Sequence, residues 1–524
     1  MKINRSLSHY LLKTTIFFLL YLISSELSTL WQPNGSALSP LWVPSGLGLA
    51  FLFMNGIEYW PGIFVGTYVC KSLVNCGPLL SLGLGIAATL SSVIGAIFLK
   101  RLSFNNKLVS LRDVVSLVVV SFIGSTFSAF LSVASLCLVK FITQNQFYSY
   151  FITWLNSDTM GDIVCGSCIF ILSSKSISEK RPWKFLEGSA ASIFFLWIAL
   201  SLFFRAPDAR APFPMTYFIF PSLLWIAIRF GQLGSVLAST SLYLIGFCAT
   251  AYGFGPFMAS STRVDIFQFQ LFIGITTTTT LVVAALASQT KDIIHIRDEF
   301  LSIASHELKT PLTSLQLHFH LLTRMTDPKF ASITNHEKVK QTLAKASTQV
   351  DRITNLVNDL LDVTRIQAGK LNFRFEKVNL LRLMEEVLER FSEQLALARC
   401  KLEVNICEDI VGFWDPIKIE QIIVNLVTNA IKYAPGRPIV ISAMTGDRNV
   451  YLTVQDFGPG INKESQQRIF DRFERVTNSQ NIGGLGLGLF ISRQIAEAHR
   501  GKIHVVSELG KGARFILDLP LNPA

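Results

Sequence analysis

The chain of 524 residues carries several groups whose types and spacing could do chemistry. His306 is followed directly by Glu307 and, one turn on, by Thr310. An imidazole with a neutral attacking nitrogen is a nucleophile, and an adjacent carboxylate can accept the proton released on attack. Asn425, Asn429 and Lys432 are four and three residues apart and Tyr433 follows, so on a helix they form one strip. Two amides, an ammonium and a phenol offer acceptors to a hydrated cation and donors to phosphates. Asp456-Phe457-Gly458-Pro459-Gly460 sets a carboxylate at the head of a glycine-rich turn. There it can accept from an adenine amino group while the glycines let a ligand approach closely. Gly483-Gly484-Leu485-Gly486-Leu487-Gly488 heads a helix, and backbone N–H groups at a helix start bind phosphate. The run lacks the Gly-Lys-Ser/Thr ending of a P-loop, and a polar loop precedes it where a dinucleotide fingerprint needs a strand.

The elements that must position these residues are legible. From Asp292 to Arg324 the pattern is helical, with Phe300, Ala304, Leu308, Pro311, Leu315, Phe319 and Leu322 on one face and His306 on the opposite, solvent side. Pro311 is expected to kink this helix. After an Asp327-Pro328 turn, Val339, Leu343, Ala346, Val350, Ile353, Val357 and Leu360 form a heptad seam. Two such stripes predict a helical hairpin that forms a dimeric four-helix bundle; an intramolecular hairpin packed on another domain is the alternative. From about Val378 to Pro520 short strands alternate with helices, as in an α/β sandwich. Asp415 as N-cap and Pro416 at the first helical position open the helix that bears the Asn strip, with Ile419, Ile422, Ile423, Leu426 and Ala430 as its buried face. Val450, Leu452 and Val454 alternate as the strand leading to Asp456.

Charge divides the chain. Only 16% of residues are charged, against an ordinary value of about 25%, and mean hydropathy is +0.42. A fully water-soluble chain is excluded. Residues 1–290 hold 17 Lys and Arg and 9 Asp and Glu, and the remainder hold 30 and 27. The first part is therefore expected to be a polytopic α-helical membrane domain with about ten apolar windows. They lie near Leu11–Leu30, Pro40–Gly56, Tyr59–Val74, Leu79–Leu99, Val114–Val139, Met160–Leu172, Ala190–Phe204, Phe213–Ile228, Leu233–Thr250 and Ile266–Leu286. Basic clusters at Lys2 and Arg5, at Lys100 to Arg112 and at Lys175 to Lys184 share one side, which is the cytoplasm, and the polar half follows on that side. The basic N-terminus lacks a cleavage signature and is expected to be retained. The net charge of +11 is thus explained by topology and not by nucleic acid. Cys165 and Cys168 form a C-x-x-C pair in an apolar run and read as buried small hydrophobes. Glu58 reads as interfacial, whereas Asp158 and Asp162, beside Trp154, are equally balanced between interface and function. Thr276 to Thr280 reads as helix-packing glue.

Ser305-His306-Glu307-Leu308-Lys309-Thr310-Pro311-Leu312 resembles the H-box of bacterial sensor histidine kinases. The order of Asn425 to Tyr433, Asp456 to Gly460, Phe470-Asp471-Arg472-Phe473 and Gly483 to Gly488 is similar to the motif order of their Bergerat-type ATP-binding domain. Trp42-Val43-Pro44-Ser45-Gly46, Trp60-Pro61 with Gly66, and Trp154 with Asp158, Gly161 and Asp162 resemble a MASE-type membrane sensor domain. The resemblance implies a membrane domain at 1–290, a dimerisation and phosphoacceptor domain at 291–368 and a catalytic domain at 376–521. It implies ATP and Mg²⁺, with His306 as phosphoacceptor, Glu307 as general base and Thr310 orienting water for dephosphorylation. Asn429 would hold Mg²⁺, Asp456 the adenine, and Lys432 and Tyr433 the phosphates, with Asn425, Gly458, Gly460, Gly484, Gly486 and Gly488 completing the nucleotide site. Arg472 would meet the transferring phosphoryl group, and Glu474 to Ile482 would be a lid.

The expected protein is a homodimeric, multi-pass histidine kinase of the bacterial inner membrane, surrounded by lipid, with cytoplasmic kinase domains and no direct nucleic-acid partner. No receiver segment follows Pro520, so the expected phosphate acceptor is an aspartate of a separate response regulator. Signalling is expected to act through coiled-coil register after Leu286. A transporter with a nucleotide-binding regulatory domain, and a pseudokinase that uses ATP structurally, are the competing classes. Few intramembrane charges and an intact H-box oppose the first, and intact Asn429, Asp456 and glycine boxes oppose the second.

Overall fold

The computed structural model describes residues 2–30, 39–74, 76–174, 182–204, 213–257, 262–325, 336–367, 373–406, 409–474 and 485–522. The chain forms two compact units, Met1–His295 and Ile296–Ala524.

The first unit is helical: α1 (Lys2–Leu30), α2 (Val43–Asn55), α3 (Trp60–Leu73), α4 (Pro78–Arg101), α5 (Leu111–Leu138), α6 (Phe147–Met160), α7 (Ser167–Ser173), α8 (Pro182–Phe203), α9 (Ile219–Ala251) and the first part of α10 (Thr262–Met325). Six helices among the described residues are long and apolar enough to cross a membrane. The ten windows all fall on helical chain, yet they do not make ten such helices. Helix α2, with 13 residues, spans only about 20 Å of a core about 30 Å thick. The Met160–Leu172 window runs across a π-helical turn at Gly161–Gly166 into the short α7. Phe213–Ile228 and Leu233–Thr250 largely share α9, which is broken at Gly231 by φ 63° and ψ −148°. Hydropathy windows register apolar composition and miss where a helix bends or stops.

Small residues let these helices approach. Gly124 on α5 meets Ser91 of α4, and Gly46 on α2 lies against the backbone of Gly161 and Gly166. Leu82, Ile86, Phe122, Phe127 and Phe130 face outward, as a lipid-facing surface requires. Thr276, Thr277 and Thr280 are buried on α10, which matches the expected packing role. Cys165 and Cys168 are half-buried, Cys165 packed against one apolar cluster and Cys168 against another. Glu58 is exposed in a short 3-10 turn.

The second unit continues α10 to Met325 and adds α11 (His336–Gln367), β1 (Glu376–Asn379), α12 (Leu380–Arg390), α13 (Ser392–Leu397), β2 (Leu402–Ile406), β3 (Val411–Trp414) and α14 (Pro416–Tyr433). After these come β4 (Ile439–Thr445), β5 (Asn449–Asp456), α15 (Lys463–Arg468), α16 (Gly488–Ala498), β6 (Lys502–Glu508) and β7 (Gly512–Pro520). The five-stranded sheet has the order β2-β4-β5-β7-β6, with only β2 and β4 parallel, and β1 pairs with β3 apart from it. Helices α12, α14 and α16 cover the sheet, so the α/β sandwich expected from the sequence is present. The apolar face of α14 drives this: Ile419, Ile422, Ile423, Leu426 and Ala430 are all buried against Val450, Leu452 and Val454 of β5. Asp415 caps α14 by accepting from the Lys418 amide at 3.1 Å, a contact worth about 1 kcal/mol. Trp414 is fully buried and its indole donates to the Pro520 carbonyl at 2.8 Å, tying β3 to the end of β7.

Helix α10 is continuous through Pro311, which is buried. Ala304 is buried on its apolar face, but Phe319 is 56% exposed. Helix α11 has two apolar faces where the heptad seam predicts one. Leu356 and Val363 join the core of the α/β layer, while Leu343, Val350 and Val357 remain exposed at heptad spacing. The Asp327-Pro328 turn lies outside the described residues.

Candidate functional site

Asp456 ends β5, where its neighbours in the sheet are Ile439 of β4 and Ala513 of β7. The carboxylate is nearly buried, and its Oδ1 accepts from the amides of Gly458 at 2.9 Å and Ala513 at 3.3 Å. Burial holds its pKa above the ordinary carboxylate value, while the two amides act in the opposite direction. Both amides converge on Oδ1, and Asp456 lines a cavity of about 110 Å³. That cavity is lined by Asn429 and Tyr433 of α14, by Asp456, Pro459, Gly460 and Ile461, and by Ile469, Glu474, Leu489, Ala513 and Phe515. A buried acceptor among apolar walls suits a planar amino-bearing heterocycle. Gly460 has φ +74° and a Cβ there would meet the Glu508 carbonyl, so glycine is needed for the turn to close.

The Asn strip is divided by the fold. Asn429 and Tyr433 reach the cavity. Asn425 instead donates to Ser492 Oγ at 2.9 Å and packs against Gly488, so it braces α14 against the first turns of α16. Lys432 Nζ lies 5.2 Å over the Tyr433 ring, outside the cavity lining. Helix α16 starts at Gly488 with no side-chain cap, so its first amides are available to an anion. The Arg472 guanidinium sits 4.7 Å over the ring of Phe490 in that first turn, which brings a cation to the same helix end without placing it in the cavity lining. Gly486 has φ +67° and lies against the backbone of Phe473 and Glu474. Gly484 and most of the expected lid lie outside the described residues.

His306 is exposed on α10, the side assigned by periodicity. The Thr310 hydroxyl donates to the His306 carbonyl at 3.2 Å, and Glu307 is half-buried. Sequence reasoning missed Ile469, Glu474, Leu489, Ala513 and Phe515 as cavity walls. The alternation of β7 could have indicated Ala513 and Phe515, but nothing local showed that β7 lies beside β5.

Residues 9–291, more than half of the chain, match the family model described as MASE1. The chain belongs to the MASE1 family. In this MASE1 protein residues 296–369 match the His Kinase A (phospho-acceptor) domain. Residues 414–523 match the family described as histidine kinase-, DNA gyrase B-, and HSP90-like ATPase. The MASE1 region thus precedes one region that matches a phospho-acceptor family model and one that matches an ATPase family model. The sensor protein SrrB of Staphylococcus aureus strain N315 is 33% identical over 228 residues, which is 43% of this chain and 38% of SrrB. SrrB of strain COL gives the same identity and coverage. The MASE1 protein thus spans under two fifths of the length of the curated relatives it matches. Among solved structures, the Acinetobacter baumannii histidine kinase AdeS is 26% identical with TM-score 0.33, covering 41% of this chain and 98% of AdeS. Full-length ShkA in complex with AMPPNP is 28% identical with TM-score 0.33, covering 42% of this chain and 45% of ShkA.

Proposed function

We propose that this MASE1 protein is a membrane-bound histidine kinase that moves the γ-phosphoryl group of ATP to His306. The observation that carries the reading is the Asp456 cavity, which a buried carboxylate lines together with Asn429 and Tyr433, within the same unit as an exposed His306. A neutral imidazole nitrogen of His306 attacks the γ-phosphorus, the bond to the β–γ bridging oxygen breaks, and ADP leaves. Glu307 takes the proton released from the ring. Asp456 holds the adenine amino group, Tyr433 and Lys432 the phosphates, and Arg472 the transferring group. Asn429 would hold Mg²⁺, which would supply charge neutralisation at the phosphates.

The phosphoryl group then passes to an aspartate of a separate response regulator, and Thr310 orients water for its later removal from that regulator. The domain division is 1–290, 291–368 and 376–521, with the last two in the cytoplasm. The exposed Leu343, Val350 and Val357 stripe supports a second copy of the chain as the partner of α11, in a dimeric bundle. The test is autophosphorylation of membranes bearing the full chain, with γ-labelled ATP and Mg²⁺, beside His306→Gln. Acid-labile, alkali-stable label that vanishes in the variant is expected. Unlabelled wild type that still binds ATP would overturn transfer to His306.

A further inference from the structure

The kinase reading leaves a groove in the membrane unit unexplained. It runs between α10 and the stretch from α6 into the π turn, and its volume of about 370 Å³ is that of a small-molecule site. Its apolar walls are Met160 and Ile163 on one side and Phe267, Leu271 and Ile275 on the other. The last three are among the outward-facing side chains of the unit, so the groove opens toward lipid. Its α10 wall belongs to the same helix that bears His306.

Polar side chains line the same groove, and packing against lipid does not require them. Asn156 is one of them, and its Nδ2 is buried with no partner. A buried donor left unmade costs stability, so a chain under no other demand would place an apolar residue there. Gln270, also on the wall, is 3% exposed and gives its Nε2 to the Pro40 carbonyl at 2.7 Å, so only its oxygen is left to serve a guest. Thr278 and Thr279 add two hydroxyls. Among the described residues that line the groove none is charged.

We propose that this groove binds an uncharged, membrane-dissolved amphiphile with a hydroxyl-bearing head, its apolar part lying along Phe267, Leu271 and Ile275. A hydroxyl accepts from the Asn156 amide and donates to the Gln270 oxygen, which a bare hydrocarbon cannot do, and an ionised head would find no counter-charge on these walls. The site is separate from the phosphoryl-transfer chemistry, so its test does not depend on kinase activity. The full chain in lipid nanodiscs is photolabelled with a diazirine-bearing hexadecanol, beside the matching diazirine-bearing hexadecane, and the adducts are located by mass spectrometry. Saturable labelling within 156–163 and 267–279 by the alcohol alone is expected, competed by unlabelled hexadecanol. Asn156→Leu removes an amide nitrogen that has no partner in the protein, so the melting temperature should hold or rise while half-saturation moves up about tenfold. Asn156→Leu that saturates as wild type does would overturn the proposal. Equal saturation by the hydrocarbon would overturn it as well, and leave only a lipid-facing surface. Monodisperse particles with no adduct in either segment would overturn it too, and crosslinks between two copies at α10 would then identify a second chain as the occupant.

Discussion

Lys418 Nζ lies 3.4 Å from Asp362 Oδ1, and Gln421 donates to Asp362 Oδ2 at 2.7 Å, so two side chains of α14 hold one carboxylate of α11. Both charged side chains are mostly buried, at 17% and 14% exposure. Beside them the pKa of Asp359 is pushed up to about 6, by burial first and by the charge of Asp362 second. Phe300 of α10 packs tilted against Phe473, with ring centroids 5.7 Å apart. The contact between the helical pair and the α/β layer is therefore partly polar and partly apolar, and its polar part can be removed selectively.

Lys418→Ala strands Asp362 in a half-buried place. Local opening of α11 near Leu356 to Val363 is expected to become easier by about 1–2 kcal/mol, below the cost of breaking a fully buried pair because water reaches this one. Hydrogen exchange of those amides in the full chain should quicken roughly 5–30-fold. Unchanged exchange would mean that the apolar contacts alone hold the interface.

Nucleotide affinity is expected to depend on Asp456 being ionised, since only the carboxylate is purely an acceptor. Burial raises its pKa, so affinity is full at neutral pH and declines on acidification earlier than an ordinary carboxylate would cause. Asp456→Asn keeps an acceptor for the Gly458 and Ala513 amides but turns an N–H₂ toward the cavity. The expected loss is about 1.5–3 kcal/mol, or roughly 10–100-fold in the Kd of an ATP analogue. Calorimetric titration of both proteins across acid pH separates the two effects.

His499 is fully buried, edge-on to Phe373 and Phe375, and its Nε2 accepts from the Asp415 amide at 3.1 Å while Nδ1–H donates to the Ile495 carbonyl at 2.8 Å. Burial lowers its pKa from 6.5. Between that lower value and the ordinary one the unfolded chain binds more protons than the folded chain. The stabilisation is thus fully present above about pH 6.5 and is lost as pH falls through the folded value. Thermal unfolding of the second unit should show this decline, and His499→Gln should flatten it while lowering stability at neutral pH.

Gly161 opens the π turn directly against the Trp42 carbonyl, and Gly46 faces Gly161 in return. A methyl group at either position forces α2 away from the turn that carries Asp162. Gly161→Ala is expected to destabilise the membrane unit by about 1–3 kcal/mol, as overpacking does. A lower melting temperature in nanodiscs with ATP binding retained is the expected result; an unshifted one would show that α2 moves freely.

Arg472 is held over Phe490 by its flat guanidinium, a geometry that a lysine ammonium reproduces poorly. Arg472→Lys should lower the autophosphorylation rate more than it changes the KM for ATP. Equal loss in both would assign the arginine to ground-state binding.

Much of this protein was determined by local sequence. The apolar face of α14, the Asp415 cap, the alternation of β5 and the outward position of His306 depend on periodicities of 3.6 and 2 and on single capping residues, all of which act within a few positions. The division between an apolar first part and a charged second part depends on composition alone. Tertiary structure decided what distant segments do to one another. It separated Asn429 and Tyr433, which reach the cavity, from Asn425, which braces α16, although all three share a helix strip. It added Ala513 and Phe515 to the cavity because β7 pairs with β5 across a long stretch of chain. It set ten hydropathy windows against six long apolar helices among the described residues, with α2 and α3 short and a π turn inside the Met160–Leu172 window. And it buried Asp158 and Asp162 together, since burial depends on which helices close around a residue and no pattern along one helix records that.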